Sequence, residues 1–156
     1  MRKVVLLSLF LLVPSSAFAD ITVFAGTNQT PSIRPARGFA VGIGLLVVGF
    51  EFEYSSSAED VAENAPGLRT YMGNGLVQTP FAIAGFQPYA TAGGGLYRET
   101  LLDESETSVG INMGFGAKVN LFGPLRMRFD YRYYRLRGSP RYPNPKRIYA
   151  GLNLKF

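Results

Sequence analysis

Glu51 and Glu53 stand two apart in "FEFEY", and Glu104 and Glu106 repeat that spacing in "LLDESETS". Two carboxyl groups on one face of a strand are the residue type and spacing that general acid–base chemistry uses, one held protonated and one ionised. The chain offers little to accompany them. It contains no histidine and no cysteine. Ser32, Ser55, Ser56, Ser57, Ser105, Ser108 and Ser139 therefore lack the base that activates a serine nucleophile. No clustered metal ligands are visible in the sequence. "GGGL" and "GFG" are not followed by a helix that could present its N-terminus to phosphate. The reading left for Glu51 and Glu53 is ion pairing with basic side chains elsewhere. The chain is accordingly read as a non-enzyme that needs no cofactor.

The elements that would position these carboxylates are strands. In 147 to 156, "RIYAGLNLKF", Ile148, Ala150, Leu152, Leu154 and Phe156 alternate with Arg147, Tyr149, Gly151, Asn153 and Lys155. Strict period two with one apolar set describes a strand with two unlike faces. In 125 to 134 the same alternation sets Leu125, Met127, Phe129, Tyr131 and Tyr133 against Arg126, Arg128, Asp130, Arg132 and Tyr134. In 109 to 120 it sets Ile111, Met113 and Phe115 against glycines, Asn112 and Lys118. Residues 48 to 55 set Phe50 and Phe52 against Glu51 and Glu53, and 38 to 45 set Phe39, Val41 and Ile43 against glycines and Ala40. Segments 20 to 27, 68 to 78 and 87 to 98 bring the number of strands to eight. In 68 to 78 we expect Leu68, Thr70, Met72 and Leu76 to face outward and Arg69, Tyr71, Gly73 and Gly75 inward. The phases of 20 to 27 and 87 to 98 stay open.

Turn chemistry tests these registers. A two-residue turn at Leu46 and Val47 pairs Leu45 with Val48, both apolar. A three-residue turn over Phe122 to Pro124 pairs Leu121 with Leu125. Short connections at 46–47, 79–86 and 122–124 alternate with longer polar ones at 28–36, 56–67, 99–107 and 137–145. The apolar "TPFAIAGF" at 79–86 could extend the strands on either side of it. An even number of antiparallel strands places both termini and the short turns at one end, and the long loops at the other.

The opening "MRKVVLLSLFLLVPSSAFAD" has a basic start, an apolar run ended by Pro14, and small residues before Asp20. This pattern predicts a secretory leader, residues 1–19, cleaved after Ala19; the run is too short for a membrane-spanning helix. Cleavage removes Arg2 and Lys3, so 16 basic residues become 14 against 11 acidic ones, a net of +3. That is too mild to argue for nucleic acid. An exported chain without cysteine must be stable without disulfides.

Both faces are explained if the apolar one meets lipid. A soluble sandwich or periplasmic lipocalin-like barrel, apolar inside, is the alternative, but the polar face is small and glycine-rich, as a cramped interior requires. The fold expected is all-β: a closed up-and-down antiparallel transmembrane β-barrel of eight strands over 20–156. Its lumen is just wide enough for side chains to fill. Glu51, Glu53 and Asp130 would meet Arg69, Lys118, Arg126, Arg128, Arg132, Arg147 and Lys155 there in an ion network that obstructs conduction. Two acidic loops, with Glu59, Asp60 and Glu63 and with Glu99, Asp103, Glu104 and Glu106, should form one half of the loop-end mouth. Two basic ones, with Arg34 and Arg37 and with Arg137 and Arg141, should form the other. Arg135, Arg137 and Arg141 are candidates for contact with lipopolysaccharide phosphates.

A leader, eight alternating strands and a final aromatic together resemble the small outer-membrane β-barrel family of the OmpA and OmpX type. "QPYATAGGGLYR" is similar to that family's Pro-Tyr-plus-glycine strand. "YAGLNLKF" resembles its C-terminal assembly signal, with Gly151, Leu152, Leu154 and Phe156 at the matching positions. The resemblance implies outer-membrane lipid and lipopolysaccharide as surroundings and the outer-membrane assembly machinery as a partner during biogenesis. It also implies extracellular loops, periplasmic termini and a structural, adhesive or surface-interaction role. A small-ligand or lipid-binding barrel, or a narrow channel, is the alternative within that class. Enzymes of the same compartment resemble one another in needing a histidine. The chain departs from the family in having no Trp, so Tyr54, Tyr97, Tyr131, Tyr133, Tyr149 and Phe156 stand as candidate interfacial anchors.

Overall fold

The computed structural model describes residues 17–156. The expected leader falls largely on residues 1–16, outside the described residues. Eight strands follow one another: β1 (Ala17–Asn28), β2 (Arg34–Leu45), β3 (Val48–Ser57), β4 (Gly67–Gln78), β5 (Phe86–Leu101), β6 (Glu104–Phe122), β7 (Leu125–Leu136) and β8 (Lys146–Lys155). Each pairs antiparallel with its sequence neighbour, and β8 closes on β1. Closure leaves no open sheet edge, the condition for a sheet to sit in hydrocarbon. Ala17 to Ala19 pair with β2, and Ala19 exchanges backbone hydrogen bonds with Phe156 at 2.9 and 3.0 Å.

The faces sort by hydropathy in the inverted sense. Outward are Phe39, Val41, Ile43, Phe50, Phe52, Ile111, Met113, Phe115, Phe129, Ile148 and Leu152, all exposed on the barrel wall; inward are charged and amide side chains. On β5 the outward run Phe86 to Leu96 is apolar or glycine throughout. At ~3.3 Å per residue and a tilt of ~40° it spans about 25 Å, the height of a membrane's apolar band. A mouthward aromatic row crosses three strands, with Phe39 and Tyr54 rings 5.7 Å apart and Tyr54 and Tyr71 5.1 Å apart.

Several local expectations are corrected. β4 has the opposite phase: Leu68, Thr70, Met72 and Leu76 are buried in the lumen, and Arg69, Tyr71, Gly73 and Gly75 face outward. Leu68 and Met72 join Tyr97, Tyr134 and Leu136 in an apolar cluster inside the mouth end, where no charge needs them displaced. Arg69 is thus not part of the lumen network. Tyr97 and Tyr149 are not interfacial anchors; both are buried in the lumen. Lys155 is exposed near the closed end, its Nζ 4.0 Å from the Phe18 ring centroid. The 99–107 connection is a tight turn at 102–103, and β5 and β6 continue up to it as a long hairpin. The β6–β7 turn is Gly123–Pro124, with Phe122 opposite Leu125 and a bulge absorbing Leu121. Gly123 has φ 53°, which favours glycine there. β4 ends at Gln78, and β5 gains only Phe86 from the 79–86 connection.

Candidate functional site: a closed lumen and a latched mouth

β7 supplies the lumen's centre because its inward set is Arg126, Arg128, Asp130 and Arg132. Asp130 accepts from Tyr89 Oη at 2.5 Å, from Arg132 Nη2 at 2.9 Å and Nε at 3.2 Å, and from Arg128 Nη2 at 3.4 Å. Arg128 also forms a bidentate pair with Glu51 across the barrel. Arg132 Nη2 lies 3.3 Å from Glu53 Oε2, and Arg147 binds the other oxygen of Glu53 and the Ser55 hydroxyl. Two carboxylates on one face of β3 are therefore each held by arginine. They are engaged as ion-pair partners.

The polar face extends to the closed end through Asp20 on β1, whose Oδ2 accepts from Lys118 Nζ at 2.8 Å and Arg126 Nη2 at 3.3 Å. Arg126 Nε also donates to Asn153 Oδ1 at 2.8 Å, and Asn153 to Thr22 at 2.8 Å. Aromatic rings fill what the ions leave: the Arg128 guanidinium is 4.7 Å from the Tyr89 centroid, and that of Arg147 is 5.1 Å from Phe24 and 5.3 Å from Tyr149. Phe24 and Tyr149 stack at 4.0 Å. Inward glycine makes the room; a Cβ on Gly116 would sit 2.5 Å from the Tyr89 hydroxyl. Two cavities flank the network, each about 10 Å³, enough for about one water.

At the mouth, Arg34 is buried and donates to the backbone carbonyls of Thr30 at 2.8 Å, Ala58 at 3.0 Å and Pro66. It staples the first loop to the second. The fourth loop, 137–145, bends over the opening and is held by the β5–β6 hairpin. Glu99 accepts from Arg141 N at 2.9 Å, Glu106 from Ser139 N at 2.6 Å, and Tyr97 Oη donates to the Arg137 carbonyl at 2.5 Å. Arg141 Nη2 meets Glu104 at 3.1 Å and Nη1 meets Asn64 at 3.2 Å. Burial raises the Glu99 carboxyl above its usual range, and Glu106 opposite adds to this, whereas the Arg141 N–H works the other way. The expected division of the mouth into a basic and an acidic half does not hold, because Arg34 is turned inward and Arg141 crosses to the acidic hairpin. Arg135 and Arg137 are exposed on the rim. Among the described residues no group of acidic side chains is arranged to hold a metal ion.

Sequence reasoning missed Asp20, Tyr89 and the Asn74–Asn112 pair, whose side chains meet at 2.8 Å. Asp20 was readable once β1 is phased by β8: Ile21 opposite Leu154 and Val23 opposite Leu152 force Asp20 and Thr22 inward.

A closed, apolar-walled, eight-stranded barrel with a charged interior is an outer-membrane barrel fold. Solved structures of this class match the chain over nearly its whole length. The N-terminal β-barrel domain of Pseudomonas aeruginosa OprF superposes with TM-score 0.68 at 16% identity, covering 89% of this chain and 97% of that one. Neisserial surface protein A gives 0.68 at 16%, with 90% and 96% covered. Yersinia pestis Ail, the attachment invasion locus protein, gives 0.57 at 14%, with 91% and 99%. The outer membrane enzyme PagL shares the fold at TM-score 0.53 and 9% identity. No family model and no curated protein sequence matches the chain.

Proposed function

We propose that this chain is a plugged outer-membrane barrel that acts at the cell surface through its mouth and rim, as a structural, adhesive or surface-interaction protein, and neither conducts nor catalyses. The observation that carries this reading is the filled lumen: arginines, carboxylates and aromatic rings occupy it from Asp20 to Glu53, and the two cavities that flank them are each large enough for about one water. The absence of histidine supports a non-enzymatic role, since the carboxylates are paired and the serines have no base. Neighbours with this fold are too distant in sequence to transfer a role.

In this reading a leader ending at Ala19 exports the chain, the loops are extracellular and the termini periplasmic. Gly151, Leu152, Leu154 and Phe156 are read by the assembly machinery. Exposed Arg135 and Arg137 face lipopolysaccharide at the rim, and Arg141 is drawn to Glu104 instead. A second reading, a small-ligand barrel, is favoured by a cleft of about 490 Å³ at the mouth between Glu99, Glu104, Glu106 and Arg141.

Because the chain has no cysteine, orientation is tested cleanly with Ser139→Cys and a membrane-impermeant maleimide. Intact cells should label; labelling only after lysis would overturn the proposed orientation.

A further inference from the structure

The reversed phase of β4 puts Arg69 on the outer wall, directly opposite Arg98 of β5. Directly opposed residues on antiparallel strands have Cβ atoms about 5 Å apart, and like charges there repel. Arg37 on β2 occupies the same row, opposite Ser56, which is itself opposite Arg69. Among the described residues, none of these three arginines has a carboxylate within ion-pairing distance, although pairs are abundant in the lumen. The nearest acidic lining of the cleft beside Arg69 and Arg98 is Glu59, whose Oε2 already accepts the Leu102 N–H at 3.0 Å. Three uncompensated cations across four strands, a span of ~15 Å, lie one step mouthward of the Phe39–Tyr54–Tyr71–Leu96 row that ends the apolar band. That is the depth of lipid headgroups.

Below the Arg69–Arg98 pair the wall is hollow. Gly73 and Gly75 face outward opposite Gly94 and Ala92, and a Cβ on either glycine would meet nothing closer than 3.9 Å. Phe50 and Phe52 stand on one side and Ile111 and Met113 on the other. A hollow of about 500 Å³ lies over Gly73, Gly75 and Ala92 and continues past Phe50 and Phe52 to Val41 and Ile43 on β2. The Tyr71 ring packs toward Tyr54 on β3, away from β5.

The geometry points to a lipid site on the β4–β5 wall, in which Arg69 and Arg98, with Arg37 beside them, hold the phosphate of an anionic outer-leaflet lipid while one of its acyl chains lies in the furrow over Gly73, Gly75 and Ala92. The occupant is the lipid A moiety of lipopolysaccharide, because the proposed orientation places this rim in the leaflet that carries it. The inference rests on that orientation for the identity of the lipid, and names a site two to three strands away from Arg135 and Arg137. Guanidinium groups bind phosphate oxygens in pairs, and a phosphate between Arg69 and Arg98 turns their repulsion into two attractions.

The test uses the protein folded in detergent micelles and native mass spectrometry with diphosphoryl lipid A, a neutral phosphatidylethanolamine as control, and inorganic phosphate as competitor. One lipid A per barrel should bind, and 10 mM inorganic phosphate alone should neither bind detectably nor displace it. Arg69→Gln/Arg98→Gln should weaken binding at least tenfold, and Gly75→Leu, which fills the furrow without touching the lumen, about threefold. Arg135→Gln/Arg137→Gln should leave it within twofold. Equal lipid A binding by the Arg69→Gln/Arg98→Gln variant with unchanged heat-modifiable folding would overturn the site. So would equal binding of the neutral lipid, or a furrow that cross-links a second barrel instead. Micelles impose no orientation, so loss of this site alongside normal maleimide labelling of Ser139→Cys refutes only this inference.

Discussion

Asp130→Asn tests whether the lumen is held by charge. The side chain keeps its volume, so no cavity arises and the cost is electrostatic. Asp130 carries four contacts between 2.5 and 3.4 Å, from Tyr89, Arg128 and Arg132. Asparagine removes one of the four buried lumen carboxylates, Asp20, Glu51, Glu53 and Asp130, and points an N–H₂ at groups that are already donors. Arg128 keeps Glu51 and Arg132 keeps Glu53, but Glu53 is shared with Arg147, so three buried arginines then face two carboxylates and one positive charge is uncompensated. Breaking a buried pair costs about 3–5 kcal/mol. With a urea slope of about 2 kcal/mol per M, the midpoint should fall by about 1.5–2.5 M. Unfolding is read in lipid vesicles by the gel shift that separates folded barrel from unfolded chain. Adding Arg132→Met should recover about 1–2 kcal/mol, because neutralising both members of a buried pair costs less than neutralising one. A loss below about 1 kcal/mol for the single variant, or additive losses in the double, would refute the network as the lumen's organising contact.

Arg34→Ala should free the second loop, since three carbonyls lose their donor; cleavage by a glutamate-specific protease at Glu59 or Glu63 should rise several-fold in otherwise folded barrels, and unchanged cleavage would contradict the staple. Deleting Phe156 should lower the folded yield in cells, because its exposed side chain ends the outward row of β8; normal insertion would make that ending incidental. In planar bilayers the protein should give no steady channels above background, and sustained conductance would contradict the filled lumen.

The fold was legible wherever charge marked one face. Over Arg126–Arg132 on β7 and Phe50–Glu53 on β3, lipid-compatible and ionisable residues alternate without exception, and only one assignment satisfies hydrocarbon. β4 misled because its two sets differ little in hydropathy: Leu68, Met72 and Leu76 read as lipid-facing, although Thr70, Asn74 and Gln78 in the same set accept or donate hydrogen bonds inside. Tyr97 and Tyr149 misled because tyrosine suits both a membrane interface and this lumen, where the Tyr149 ring lies 5.3 Å from the Arg147 guanidinium and Tyr97 Oη donates to the Arg137 carbonyl. The long β5–β6 hairpin was hidden by polarity. Glu99 and Glu106 look like loop residues in sequence, and only the fourth loop, whose Arg141 and Ser139 N–H groups arrive from 42 and 33 residues away, makes them strand residues of a covered mouth.

The same contrast explains what the lumen charges achieve. Slipping β7 by one residue against its neighbours would turn Arg128 and Arg132 into lipid, at about 2–4 kcal/mol each near the bilayer midplane. The sum, on the order of 4–8 kcal/mol, is comparable with the whole stability of a typical domain. Buried ion pairs contribute little net stability over apolar packing, so their larger effect here is to exclude wrong registers. β4 carries no lumen charge of its own, and its place is fixed by its neighbours through Tyr54 opposite Tyr71 and Asn74 bonded to Asn112. Its one charge, Arg69, sits at the rim, where facing lipid costs about 0–1 kcal/mol. An arginine there is cheap to expose and close to phosphate, so the phase that hydropathy alone disfavours is the one that gives the wall a cation at headgroup depth.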